Sequence, residues 1–295
     1  MTPANSRKAL IAAVAASLTI ASSIAAAGCG SSSTVLDPVA QAAAVTSHAG
    51  GAHMAIAVDV QTPGLAQPVA MSGQGFFNYA TQEGELTLDM NGLPTEAAAS
   101  LPSGSLHMEE IFKASSEYVG SSLFAGKLPG GARWVKIDLG RVTQALGLNM
   151  QQLAGQSNPA QFLQYLRATA GTVTPVGSEL VRGVPTTHYR ATVDLDRVAD
   201  VVPSADRGQL HAAISKLIAQ TGTSKIPVDA WVDAQRLVRR IAMSLQMGSG
   251  GGNVQLRVTI ELFDFGATPP VSTPASSETF DATQTALNGL SARGG

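Results

Sequence analysis

The stretch Val254-Gln255-Leu256-Arg257-Val258-Thr259-Ile260-Glu261-Leu262 decides the fold. Its apolar residues fall at every second position and its polar residues fill the gaps. Successive side chains of a strand point to opposite faces, so this is a strand with one dry face and one wet face. The pattern recurs along the chain. Met54, Ile56, Val58 and Val60 alternate with polar Asp59 and Gln61, and Leu86, Leu88 and Met90 with Glu85, Thr87 and Asp89. Val135, Ile137 and Leu139 alternate with Lys136 and Asp138, Tyr189, Ala191, Val193 and Leu195 with Arg190, Thr192 and Asp194, and Val228, Ala230 and Val232 with Asp229 and Asp233. Sheets wet on one side are antiparallel by habit.

Short turn signals separate these runs: Gln82-Glu83-Gly84, Lys113-Ala114-Ser115, Arg182-Gly183, Asp233-Ala234-Gln235 and Gly248 to Gly252. Together they predict a meander of about eleven strands, near 51–62, 66–80, 83–91, 105–113, 115–125, 132–139, 172–182, 184–195, 226–234, 236–247 and 253–265. So many strands in one open sheet curl. Two helices interrupt the meander. Asn158 caps and Pro159 starts the first, with Phe162, Leu163, Leu166 and Ala170 on one side. The second runs from about 205 to 220, with Leu210, Ile214, Leu217 and Ile218 inward, and a short helical segment is expected near 141–148. The fold class is therefore α+β: a strongly curved antiparallel half-barrel of about eleven strands with helices on its concave side.

The chain's single cysteine, Cys29, follows a basic start at Arg7-Lys8 and the apolar run Ala9 to Ala27. This is the layout of a secretory signal, and Ala26-Ala27-Gly28-Cys29 has the form of a lipobox with Ala26 in the place Leu usually takes. Residues 1–28 are read as a lipoprotein signal peptide and Cys29 as the lipidation site. Two acyl chains, at about 0.8 kcal/mol per buried CH₂, hold a protein stably on a membrane. The other reading of the apolar run is an uncleaved helix, since it approaches the roughly 20 residues that span a bilayer. Residues 29–48 are expected to form a flexible tether, 49–266 the half-barrel domain, and 267–295 a Pro-, Ser-, Thr- and Gly-rich tail outside it, with at most a weak helix near 281–287. With one cysteine, no internal disulfide is available.

Composition narrows the function. Charged residues are 14% of the 295, and 19 basic residues stand against 21 acidic ones, so nothing draws the chain to nucleic acid or to an anionic surface. The five histidines show no helical i, i+4 pair and no cysteine partners, which leaves a zinc site without ligands. No Gly-x-Ser-x-Gly elbow precedes a helix. Gly248-Ser249-Gly250-Gly251-Gly252-Asn253 lacks the Lys-Ser or Lys-Thr of a phosphate cradle and opens a strand. The carboxylates Glu109, Glu110, Asp138 and Asp233 are assigned to the wet face. No enzyme, cofactor or metal is expected.

Several patches, in order and spacing, resemble the LppX/LprG-type lipoproteins of actinobacteria. They are Trp134-Val135-Lys136-Ile137-Asp138-Leu139; Asn158-Pro159 with Phe162-Leu163 and Leu166; Val181-Arg182-Gly183-Val184-Pro185-Thr186-Thr187-His188-Tyr189; Ile226-Pro227-Val228-Asp229-Ala230-Trp231-Val232-Asp233; and Asp264-Phe265-Gly266 with Pro270-Val271 and Pro274. The resemblance spans roughly 45 to 283. It implies a half-barrel plugged by helices, similar to the periplasmic lipoprotein carrier LolA and receptor LolB of Gram-negative bacteria, with an apolar cavity for acyl chains.

Candidate lining residues are Met54, Ile56, Val58, Leu86, Leu88, Met90, Val135, Ile137, Phe162, Leu166, Ala191, Val193, Ala230, Met243, Val258 and Ile260. Met adapts to irregular ligands and Ala leaves room, while ordinary dense packing against the helices uses the same residues. Trp134 and Trp231 share the parity of charged neighbours and are placed on the convex or edge side as structural covers; Arg239-Arg240 could meet a phosphate head group, but a solvated hairpin is the commoner home for such charges. Two functions follow. One is a lipid-anchored, monomeric carrier of a lipid or acylated ligand on the extracytoplasmic face of the membrane. The other is an envelope sensor meeting a protein partner without lipid cargo.

Overall fold

A computed structural model describes residues 38–65, 67–99, 101, 105–124, 126–145, 173–195, 214–215, 218–219, 221–249 and 252–291. Its framework is a single sheet of twelve strands: β1 (Gly51–Gln61), β2 (Val69–Asn78), β3 (Glu83–Asn91), β4 (Leu106–Lys113), β5 (Ser116–Ser121), β6 (Trp134–Asp138), β7 (Thr174–Val181), β8 (Val184–Asp194), β9 (Lys225–Asp233), β10 (Val238–Ser249), β11 (Gly252–Phe263) and β12 (Thr279–Asp281). The spatial order is β12-β6-β5-β4-β3-β2-β1-β11-β10-β9-β8-β7. Each of the eleven strands read from periodicity is present. The sheet is two meanders, β1 to β6 and β7 to β11, joined along one seam where β1 pairs antiparallel with β11, Met54 opposite Leu262 and Val58 opposite Val258.

The turns use the residues that the sequence offers. Arg182 and Gly183 both have positive φ, 49° and 79°, as a two-residue turn that follows the sheet twist requires. Ala114 and Ser115 do the same between β4 and β5, at 49° and 65°. The Asn78 side-chain oxygen accepts from the backbone N–H of Ala80 and of Thr81, closing the β2–β3 turn. Asp233 closes the β9–β10 turn, its Oδ1 accepting from the N–H groups of Gln235 and Leu237.

The curl of the sheet has a local cause. In β2 the residues facing the dry side include Gly73 and Gly75, and Gly84 lies opposite Phe77 in β3. A Cβ at Gly75 would stand 2.0 Å from the Glu85 carbonyl oxygen, and one at Gly73 2.5 Å from Leu88 Cδ2. Glycine lets the two strands bend into each other here, making a crease of the kind found at barrel corners.

The expected tether at 29–48 needs correction, because Pro38–Ser47 is a helix, α1, that packs into the core. Val39, Ala40, Ala42, Ala43 and Thr46 are all buried, and Val39, Ala42 and Ala43 join a cluster with Val228, Ala230, Val232, Val238 and Ile241. Small side chains let its backbone lie close against β9 and β10. Thr46 fastens it: its hydroxyl donates to Ala42 O at 2.7 Å and accepts from Val238 N at 2.9 Å, in a fully buried setting.

The tail at 267–295 is corrected likewise. Asn78 Nδ2 donates to Thr268 Oγ1, Lys113 Nζ to the carbonyl of buried Val271. The chain then adds β12 parallel to β6, Thr279 opposite Trp134 and Asp281 opposite Lys136, and ends in a helix at Thr283–Ser291. Thr283 is fully buried, and its Oγ1 accepts from the Asp138 N–H.

Shorter helices lie at Thr95–Ala98 and Leu139–Ala145, the latter where a helical segment was expected. The expected helix over 158–170, with Phe162 and Leu166, lies outside the described residues, as does Cys29. Of the helix near 205–220, residues 214–215 and 218–219 are described and helical, and Ile214 and Ile218 pack on the core.

Candidate ligand-binding face

The register carries the candidate residues onto one face in continuous rows. One row runs Ala191, Val228, Met243, Val258, Val58, Met71, Met90, Leu106 across eight strands. The next runs Tyr189, Ala230, Ile241, Ile260, Ile56, Gly73, Leu88, Met108. A third takes Leu262, Met54, Gly75, Leu86, Glu110, Val119, Val135. Ile137 follows on β6 opposite Glu117, and the Val193 backbone pairs with Ile226. The expected lining residues within the described strands, Val193 apart, thus share the dry face by register.

Met54, Val58, Leu88, Met90, Ala191 and Ala230 are buried, and Ile56, Leu86, Val135, Ile137, Met243, Val258 and Ile260 are half-buried. The half-buried residues Met243, Val258, Ile260 and Ile56 form a connected strip over β10, β11 and β1. A separate open apolar hollow lies outside this strip, lined by Ala44, Val45, His48, Ala49 and Leu237.

Glu110 overturns its wet-face assignment. It sits opposite Leu86 on β3 and Val119 on β5, on the dry side, and is only 7% exposed. Burial, then the charge of Glu117, pushes its carboxyl up to about 7. Glu117, opposite Phe112 and Ile137, shares that side, and burial raises its carboxyl as well. Adjacency in the sequence held the signal. Glu109 and Glu110 are neighbours in a strand, so only one of them can face water. Glu109 takes the wet side, 3.6 Å from His107 Nε2; the Asp89 carboxylate, hydrogen-bonded at 2.8 Å, raises the His107 imidazole.

The opposite face carries the charged residues in ladders. Trp231 stacks on His188 with centroids 4.2 Å apart and donates from Nε1 to Glu179. The Arg240 guanidinium lies over the Trp231 ring and bonds Glu261 through Nε and Nη2. Arg182 also bonds Glu261 and covers Phe263. These hydrogen bonds from Arg240 and Arg182 hold the Glu261 carboxyl below its usual range, although burial opposes them with the largest single effect. Arg239 bonds Asp233, whose side chain is fully buried. The Arg239-Arg240 pair is therefore no solvated hairpin but part of a half-buried ionic and aromatic cover, and Asp233 is a buried turn cap where a wet-face carboxylate was expected. Trp134 also lies on this side, its ring close over Gly120.

His188 holds both ring nitrogens against carboxylates, Nε2 at 2.8 Å from Asp229 and Nδ1 at 3.5 Å from Glu179. Among the described residues no group of three or more His, Cys, Asp or Glu side chains is arranged to hold a metal ion, and no helix is long and apolar enough to cross a membrane.

The fold and face define a class: an α+β protein built on one curved, open, mostly antiparallel sheet with a largely apolar concave side, the architecture that the LppX/LprG resemblance implies. The chain is 30% identical over 248 residues to an uncharacterized 31.2 kDa protein in the rplA–rplJ intergenic region of Streptomyces griseus, covering 83% of this chain and 79% of that one. It belongs to the family of that protein. No family model matches it. Among solved structures it is similar to LprF from Mycobacterium bovis, at 14% identity over 81% of this chain and 97% of that one with a TM-score of 0.39. It is also similar to the lipoprotein LppX of Mycobacterium tuberculosis, at 12% identity over 79% of this chain and 98% of that one with a TM-score of 0.41. At such scores these likenesses carry no argument about function.

Proposed function

We propose that this chain is an envelope lipoprotein, anchored through Cys29, whose concave face shelters the acyl chains of a lipid ligand during its transfer across or along the envelope. The observation that carries the reading is the run of apolar rows on one face from β8 to β3, with the half-buried strip Met243, Val258, Ile260 and Ile56 within it. Burying acyl chains there yields about 25 cal/mol per Å² of apolar area, without any bond made or broken.

Native mass spectrometry and lipid extraction on the full chain test this reading. A co-purifying diacyl lipid near stoichiometry, lost when Ile260→Trp or Met243→Trp fills the strip, is the expected result. A folded protein that stays empty and ignores added lipid overturns it and turns attention to a protein partner in the envelope. The anchor has its own readout: labelled palmitate enters the chain and fails to enter Cys29→Ser.

A further inference from the structure

Two carboxyls on an otherwise apolar face need a purpose. Glu110 and Glu117 stand diagonally across the β4–β5 pair, where Glu110 faces Val119 and Glu117 faces Phe112. Neither is needed for solubility on that side, and Glu110 Oε1 is buried without any hydrogen-bond partner. A second orphan lies on the same half of the sheet. The hydroxyl of Tyr79, itself 6% exposed, is also buried and unpartnered, in a cluster with Phe77 and Met54 against which Leu86 packs. Leu86 is the cross-strand partner of Glu110. An unmet buried polar atom costs about 1–3 kcal/mol, so each such atom calls for an explanation, a polar role among them.

We propose that Glu110 and Glu117 form a polar subsite on the concave face that takes an ester carbonyl of an uncharged acyl lipid and turns away lipids with an anionic headgroup. The inference rests on the lipid-binding reading above and deepens it. The neighbouring strands present Leu86 and Leu88 from β3 and Val135 and Ile137 from β6 on this side. No cation from those strands faces the pair. Burial raises both carboxyls, Glu110 to about 7, so the pair holds on to protons that exposed carboxyls lose. A protonated carboxyl is a donor, an ester carbonyl is an acceptor that is cheap to desolvate, and the two satisfy each other. A phosphate a few bonds from that ester would bring its charge against the acidic pair in a low dielectric, where like charges repel strongly.

The test uses the full chain stripped of lipid and two probes with identical acyl chains, dioleoylglycerol and dioleoylphosphatidic acid, in binding titrations. The wild-type protein is expected to prefer dioleoylglycerol by tenfold or more. Glu110→Leu weakens dioleoylglycerol binding about tenfold, the equivalent of one hydrogen bond at about 1.4 kcal/mol. The double change Glu110→Gln with Glu117→Gln keeps a donor but removes the charge. It retains dioleoylglycerol and brings phosphatidic acid to within about threefold. If Glu110→Leu does not fold, wild type against the double amide variant decides the matter. Equal binding of both lipids by the wild type, or a preference for phosphatidic acid, overturns the subsite and leaves the lipid-binding reading standing. A folded protein that binds neither lipid overturns both.

Discussion

Replacing Gly75 by Ala tests the origin of the curl. The added Cβ would fall 2.0 Å from the Glu85 carbonyl oxygen and 2.8 Å from Leu86 Cα, against ordinary contacts of 3.4–4 Å. Both obstacles are backbone, so no rotamer change relieves the clash; β2 and β3 must move apart where Gly75 pairs with Leu86. Overpacking of this kind costs about 1–3 kcal/mol, and a weakened ladder hydrogen bond adds about 1 kcal/mol. The smaller unfolded-state entropy of Ala returns about 0.4–1 kcal/mol. The net is a loss of about 1–3.5 kcal/mol, centred near 2–3 kcal/mol. Gly177 in β7 supplies the control, because nothing lies within 4 Å of a Cβ built there, and Gly177→Ala should be neutral or slightly stabilising. Urea unfolding followed by circular dichroism reads the difference. With a slope of roughly 2 kcal/mol/M, the Gly75→Ala midpoint falls by about 1–1.5 M. Equal midpoints for the two variants would refute the crease as the place where the sheet bends.

Other outcomes follow from the same structure. Thr46→Val keeps the shape of α1 but leaves the Val238 N–H without its acceptor in a fully buried place, so unfolding free energy should drop by about 1–3 kcal/mol; no change would return 38–47 to the status of a tether. Glu110 rises from 4.5 to about 7 on folding, so the folded state holds its proton more tightly. Its contribution is complete below about pH 4.5 and is lost as pH rises through about 7, a fall of about 2–4 kcal/mol at 1.36 kcal/mol per unit. Chemical denaturation between pH 4.5 and 8 should show that slope, and Glu110→Gln should flatten it. Glu261 and Asp281 are lowered on folding and act oppositely, stabilising above their unfolded values and losing that contribution as pH falls through the folded ones, so the acid limb should survive in the variant. Truncation after Pro274 removes β12 and the helix that follows; amide exchange in β6 should quicken, and unchanged protection there would count against the C-terminal segment as part of the sheet.

Strands were legible because period two is a strong signal when one face is dry, and each hairpin carried its own turn chemistry, as at Arg182-Gly183. Three features escaped for physical reasons. In Pro38–Ser47 the residues are small almost all round, so burial on the sheet leaves no contrast between faces to read. The strand at Thr279–Asp281 has three residues and a parallel partner distant in sequence, and nothing local distinguishes it from a loop. At Glu110 the position in the alternation and the type of residue pointed opposite ways, and position prevailed. Functional sites are where such conflicts are expected. The shared face of Met54, Ile56, Val58, Met243, Val258 and Ile260 was legible, since alternation and register alone gather them on one side.

The β1–β11 seam has a consequence for how the molecule comes into being. Within each meander every pairing joins neighbours in sequence, and those contacts form quickly. The seam joins Met54 to Leu262, nearly the whole length of the described chain apart, and must wait for both ends. Closing so long a loop is slow. Until it closes, the central strands β1 and β11 are two bare edges, apolar on one side and open to wrong partners. A chain cut anywhere between the meanders should therefore yield two sticky halves that regain solubility when mixed, while the intact chain has an interval during which a chaperone could hold it unfolded.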